Sequence, residues 1–158
     1  MHDAAPRRRD LDPAAPALRL SVEVPAEPAR VWAAWTTSAG FEGFFGVPCW
    51  IELEPGGAYE LYFDGEQPLG ARGSEGCRVL SYLPERMLSF SWNAPPDFGE
   101  LRGQHTWVVL ELEPLGPGTR VSLTQLGWGV GGRWPELQAY FERAWGMVLA
   151  TLRGHFAG

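Results

Sequence analysis

The chain has 158 residues, 45% of them apolar and 20% charged, which fits one globular domain and excludes wholesale disorder, a collagen-like repeat or a coiled coil. No apolar run approaches the roughly eighteen residues of a membrane span. The net charge of −6 argues against a nucleic-acid partner, whose phosphates require a clustered basic face.

Residues 1–16 read as a loose Ala/Pro-rich tail ahead of a domain over 17–158. Arg7, Arg8 and Arg9 resemble the basic head of a signal peptide, but Arg19 and Glu23 break the apolar segment that follows and no cleavage pattern appears. The expectation is a cytoplasmic protein whose arginine run, offset by Asp3, Asp10 and Asp12, is solvated. Leu18 to Val24 then alternates apolar and polar residues as a half-buried strand does. Pro25 ends it, and Pro28 suits the first turn of a short helix from Glu27 to Thr36 carrying Val31, Trp32 and Trp35. Ser38 is the expected N-cap of a second short helix with Phe41, Phe44 and Phe45, closed by Gly46 and Pro48.

Cys49 to Glu54 and Ala58 to Phe63 are predicted as a hairpin around Pro55-Gly56-Gly57. Asp64 to Ser74 reads as a loop, and Glu75 to Tyr82 and Met87 to Trp92 as the next antiparallel pair. Asn93 to Gly103, with Pro95, Pro96 and Gly99, is a long connection to a last hairpin, Gln104 to Glu113 and Arg120 to Trp128. Gly127, Gly129, Gly131 and Gly132 read as a flexible lead into the final element. From Pro135, Leu137, Phe141, Ala144, Trp145, Val148, Leu149, Leu152 and Phe156 recur at helical spacing, giving one long amphipathic helix. The fold class is therefore α+β: a curved seven-stranded antiparallel sheet wrapped on a long C-terminal helix, with two short helices after strand one.

Two cysteines, Cys49 and Cys77, suit a reducing compartment and buried thiols. All thirteen basic residues are Arg, while Ile51 and Asn93 are each the sole residue of their type; a GC-rich genome accounts for this bias without a phosphate-binding role. His2, His105 and His155 are scattered, so no metal site is expected, and no catalytic triad, dinucleotide fingerprint or P-loop is present. No cofactor is implied. Glu60 and Tyr62 fall opposite Tyr59 and Leu61, which predicts a solvated carboxylate.

Val24-Pro25 followed by Glu27-Pro28-Ala29-Arg30-Val31-Trp32, the Pro55 to Gly57 hairpin and Tyr82-Leu83-Pro84-Glu85-Arg86 form a recognisable set, together with Ala139 to Leu152. With these residues the chain resembles the START-like (SRPBCC) superfamily, in the branch of the activator of heat shock protein 90 ATPase homologues. Phe44-Phe45 stands where that branch usually has Trp-Phe, and Gln125 where it often has His, which speaks against His-dependent chemistry. The resemblance implies a helix-grip fold with a cavity between sheet and C-terminal helix for lipids, polyketides or other apolar ligands.

Candidates to line that cavity are Trp35, Phe41, Phe44, Phe45, Trp50, Tyr59, Trp92, Phe141, Trp145 and Leu149, against the plainer reading of the same side chains as core. Strand parity adds Gln104, Thr106 and Gln125, polar groups aimed at the apolar side, where they orient a ligand or are satisfied within the core. The first functional reading is therefore a binding module for a small apolar or aromatic ligand. The alternatives are a co-chaperone-like partner of a heat-shock ATPase, or a cyclase or dehydratase on the same fold. The surplus of aromatics also suits a homodimer interface.

Overall fold

The computed structural model describes residues 11–158; the Arg7 to Arg9 run and His2 lie outside the described residues. Seven strands form, all antiparallel: β1 (Leu18–Val24), β2 (Cys49–Ile51), β3 (Tyr59–Leu61), β4 (Val79–Leu83), β5 (Met87–Trp92), β6 (Thr106–Leu115) and β7 (Gly118–Leu126). Three α-helices accompany them: α1 (Pro28–Thr36), α2 (Ser38–Phe45) and α3 (Trp134–Ala157). The connection after β5 is not irregular throughout, because Pro96–Gly103 winds into 3-10 turns kinked at Gly99. No helix among the described residues is long and apolar enough to cross a membrane.

The main ladder runs β1-β7-β6-β5-β4, and β2-β3 form a separate hairpin. Backbone bonds attach that hairpin to the segment leading into β4: Tyr59 N–H donates to the Cys77 carbonyl at 2.9 Å, and Val79 N–H to that of Gly57 at 2.8 Å. The sheet therefore begins at β1 and ends at β2. Its hairpin strands are shorter than the pattern predicts because the turn tightens early, with Gly57 N–H donating to the Glu54 carbonyl at 2.8 Å. Conversely, β6 and β7 run on until Leu115 faces Gly118, so the loop is only the two residues Gly116 and Pro117.

The inner face of the sheet carries Val108, Leu110, Val121, Leu123 and Phe90, all fully buried. The stripe Leu137, Phe141, Trp145, Val148, Leu149 and Leu152 of α3 is buried with them in one core cluster. At the junction of α1 and α2 the cap is Thr37 rather than Ser38. Thr37 holds extended backbone, and its Oγ1 accepts the Gly40 N–H at 2.9 Å while donating to the Ala33 carbonyl at 2.8 Å. Ser38 instead accepts the Ile51 N–H at 2.9 Å and so ties α2 to β2. A Cβ on Gly40 would sit 2.1 Å from the Ala33 oxygen, so this junction closes only with glycine.

Thr37→Ala is expected to lower the unfolding free energy by about 1 kcal/mol, the usual worth of an N-cap hydroxyl. Gly40→Ala should lower it further, because backbone must move; urea denaturation of the two variants checks the order.

Candidate functional site

A cavity of about 480 Å³ opens between α3, the end of β5 with the residues after it, and the loop joining β3 to β4. Its buried wall consists of Trp92, Asn93, Ala94, Phe141, Trp145 and Val148, and its outer part includes Phe45, Phe63, Tyr140 and Met147. Strand alternation turns Phe90 and Trp92 inward from β5, and helical spacing brings Phe141 and Trp145 over them. The Trp92 and Trp145 rings lie 5.0 Å apart between centroids, tilted by 46°.

Gln125 and Thr106 point inward as parity predicts, and both are buried. Gln125 Nε2 donates to Thr106 Oγ1 at 2.8 Å, and that hydroxyl donates to the Trp92 carbonyl at 3.3 Å. Trp145 Nε1–H donates to Gln125 Oε1 at 2.9 Å, and Trp128 Nε1–H to the Gln125 carbonyl at 3.1 Å. These groups stand behind the two indoles and do not line the cavity. They serve the core reading of the buried amide: the network fixes the rings that form the wall. Gln104, half-buried just ahead of β6, does not line the cavity either.

Of the aromatic candidates, the cavity gathers Phe45, Trp92, Phe141 and Trp145. Trp35, Phe41 and Phe44 instead pack on one another where α1 meets α2, with centroids 4.6 to 5.8 Å apart. Tyr59 stacks on Phe90 at 4.2 Å and donates to the Trp35 carbonyl at 2.8 Å. Burial pushes the Tyr59 hydroxyl well above its ordinary range. The indole N–H of Trp35 is the one buried side-chain polar atom among the described residues without a hydrogen bond. Leu149 faces the opposite flank of α3, beside β1. Trp50 is 53% exposed, because the three-residue alternation of β2 sends Ile51 inward and Trp50 out.

Several residues of the site were missed by sequence reasoning. Arg102 donates to the carbonyls of Ala94, Gly70 (2.6 Å) and Gly73 (2.8 Å) and lies 3.6 Å from Glu75. Glu75 in turn accepts the N–H groups of Gly73, at 2.7 Å, and Gly70. Asn93 Nδ2 adds a bond to the Gly73 carbonyl at 3.1 Å. This node shapes the loop that walls the cavity. A Cβ at Gly73 would lie 1.8 Å from the Leu61 oxygen, so the loop can press against β3 only there. The sole Asn of the chain, directly after an inward strand, was the one available signal. Glu60 also departs from expectation: it is half-buried, accepting the Tyr62 hydroxyl at 2.7 Å and the Gly76 N–H at 3.0 Å.

Beneath the loop, burial pushes the Cys77 thiol from its ordinary 9.0 up to about 12. Cys49, half-buried, is shifted in the same direction by burial.

A family model described as activator of Hsp90 ATPase homolog 1-like protein matches residues 25–157. No curated protein matches the chain. Among solved structures, the chain is similar to the Aha1 dimer from Colwellia psychrerythraea. That match has a TM-score of 0.68 at 18% identity, covering 90% of this chain and 96% of that one. An HSP90 activator from Plasmodium falciparum matches with a TM-score of 0.63 at 14% identity, over 83% of this chain and 88% of that one. DynU16, from the dynemicin biosynthetic locus, matches with a TM-score of 0.65 at 18% identity, over 88% of this chain and 46% of that one. At these identities the likeness is one of fold.

Gln125→Leu is expected to cost about 2 to 3 kcal/mol, because it leaves the Trp145 N–H buried without an acceptor; guanidinium unfolding followed by tryptophan emission reads it. The Cys77 shift makes a second prediction. The unfolded thiol loses its proton near 9.0 and the folded one near 12, so the unfolded chain binds fewer protons between those values. The contribution of this thiol to stability is full below pH 9 and is lost as pH rises through that window. Unfolding curves across it should show that slope in the wild type and a shallower one in Cys77→Ala.

Proposed function

The chain belongs to the family of activator of Hsp90 ATPase homologue 1-like proteins, a START-like branch, and from that premise we propose that it encloses a small apolar or aromatic ligand, lipid or polyketide-like. The observation that carries this reading is the cavity of about 480 Å³ walled by Trp92, Phe141 and Trp145. Its size and ring-rich lining are those of ligand pockets in general. Ionisable side chains such as Asp64, Arg72, Asp97 and Arg102 line only its half-buried or exposed part, while the buried wall offers aromatic, aliphatic and amide groups. That division favours holding a ligand over cyclase or dehydratase chemistry, which needs a desolvated acid or base beside the reacting atoms.

A second reading is an interaction with an Hsp90-type ATPase. The family description and the fold shared with the Plasmodium falciparum HSP90 activator support it. The dimer of the Colwellia psychrerythraea protein supports a homodimer here. We place the domain at 17–158, behind a tail over 1–16, and the protein in the cytoplasm, where two free cysteines are at home.

Thermal unfolding against fatty acids and polycyclic aromatic phenols tests the binding reading. A ligand present at a hundredfold excess over its Kd is expected to add about 2.7 kcal/mol, with quenching of Trp92 and Trp145. Ala144→Trp, which fills the cavity from α3, should fold normally and lose both effects. A panel without a stabilising member overturns the reading.

A further inference from the structure

The two edges of the sheet are treated differently. At the β2 edge the strand is only three residues long. Ser38 of α2 covers it, taking the Ile51 N–H at 2.9 Å and accepting the Cys49 thiol on its carbonyl at 3.1 Å. At the other edge, β1 extends over seven residues in unbroken register with β7, without proline or bulge. Among the described residues it pairs with β7 alone. A long regular edge is a template for pairing unless it is shortened, bent or covered.

Beside this edge lies a groove of about 400 Å³ between Leu20, Ser21 and Val22 of β1 and the near flank of α3. Leu20 and Val22 remain half-exposed there, where α3 faces them with Gly146, Ala150, Gly154 and Ala157 alongside Leu149 and Arg153. The small residues among them leave the groove open beside the edge strand, with Arg153 exposed at its side.

We propose that β1 pairs antiparallel with β1 of a second copy of this chain, about a two-fold axis through Ser21. This names the surface of the homodimer proposed above and rests on that reading; it is independent of any ligand. The charge pattern of the strand selects the register. With Ser21 facing its own copy, Arg19 faces Glu23 of the partner subunit, and Glu23 faces the partner's Arg19. On the groove side, Leu20 falls opposite Val22 of the partner subunit. A slide of four residues in one direction sets Arg19 against Arg19 of the partner subunit. The same slide in the other sets Glu23 against Glu23 of the partner subunit. A parallel in-register pair also stacks like on like. Both charges are exposed, and among the described residues Glu23 is paired loosely with Arg120, at 3.9 Å. Opposite charges directly across a ladder stabilise it and like charges destabilise it, and a closed two-fold pairing uses each contact twice.

Sedimentation equilibrium on the full chain tests the proposal with wild type, Arg19→Glu, Glu23→Arg and an equimolar mixture of the two variants. The wild type is expected to be a dimer, and each variant alone, now carrying like charges at both pairs, to dimerise at least about tenfold more weakly. Mixing the variants restores opposite charges at both pairs, and a heterodimer of near wild-type affinity should form. Thermal unfolding at low concentration checks that each variant folds. A monomeric wild type overturns both this surface and the homodimer reading. A dimer indifferent to the single substitutions, or variants not rescued by mixing, overturns this surface and leaves the homodimer standing.

Discussion

A single helix has to cover the apolar face of a seven-stranded sheet, and it is too narrow to do so. An α-helix with its side chains is about 10 Å wide, whereas strands spaced about 4.8 Å apart make even the five-stranded ladder roughly twice that. Burial of Leu137, Phe141, Trp145, Leu149 and Leu152 fixes α3 over the middle of that face, and space is left on both flanks. Two concavities among the described residues lie on those flanks: one bordered by Tyr140, Phe141, Ala144, Trp145, Met147 and Val148, the other by Gly146, Leu149, Ala150, Arg153, Gly154 and Ala157. The same helix thus presents three rings to one opening and none to the other, where small residues stand beside Leu149 and Arg153. What each opening can accept follows from that difference.

The ring-lined flank depends on an amide. An indole at a cavity wall can turn over or collapse inward unless its polar edge is held, and Trp145 is held by Gln125 from β7, itself linked through Thr106 to the backbone of Trp92. Gln125 suits this task because one side chain offers an acceptor to the indole and a donor to the hydroxyl. An apolar residue there would pack but would leave an indole N–H in a dry interior. The rigidity of the aromatic wall therefore originates one layer behind the surface that a ligand would touch.

Much of this was readable in the sequence, and the reasons for the rest are physical. Strict alternation in Leu18 to Val24 and helical spacing from Leu137 to Leu152 report burial directly, so the elements and the inward parity of Thr106 and Gln125 follow from them. Parity says which face a side chain takes; it does not say whether that face is core or cavity, which is why Trp35, Phe41 and Phe44 could not be told from Phe45. Trp50 escaped because β2 is too short for a pattern. Thr37 and Ser38 are chemically equivalent caps, and only the extended backbone at Thr37 decides between them. The bonds of Arg102 span up to 32 residues along the chain, beyond the reach of any local rule.

That arginine also explains how an irregular loop can serve as a cavity wall. Residues 64 to 75 carry Gly65, Gly70 and Gly73, of which Gly73 brings the chain close to β3, and none offers a side chain to satisfy its own peptide groups. Carbonyls of Gly70 and Gly73 turned toward the protein would be costly without donors. A guanidinium, planar and with several N–H groups in a fixed fork, reaches Ala94, Gly70 and Gly73 at once, which an ammonium on a flexible stem does less well. Glu75 completes the node from the other side by accepting the N–H groups of the same two glycines. Its 3.6 Å approach to Arg102 matters less as an ion pair than as alignment of donors and acceptors around one turn, since a partly exposed pair contributes little by itself. The loop keeps its shape through backbone groups, and its side chains Asp64, Gln67 and Arg72 are left to line the opening beside Phe63.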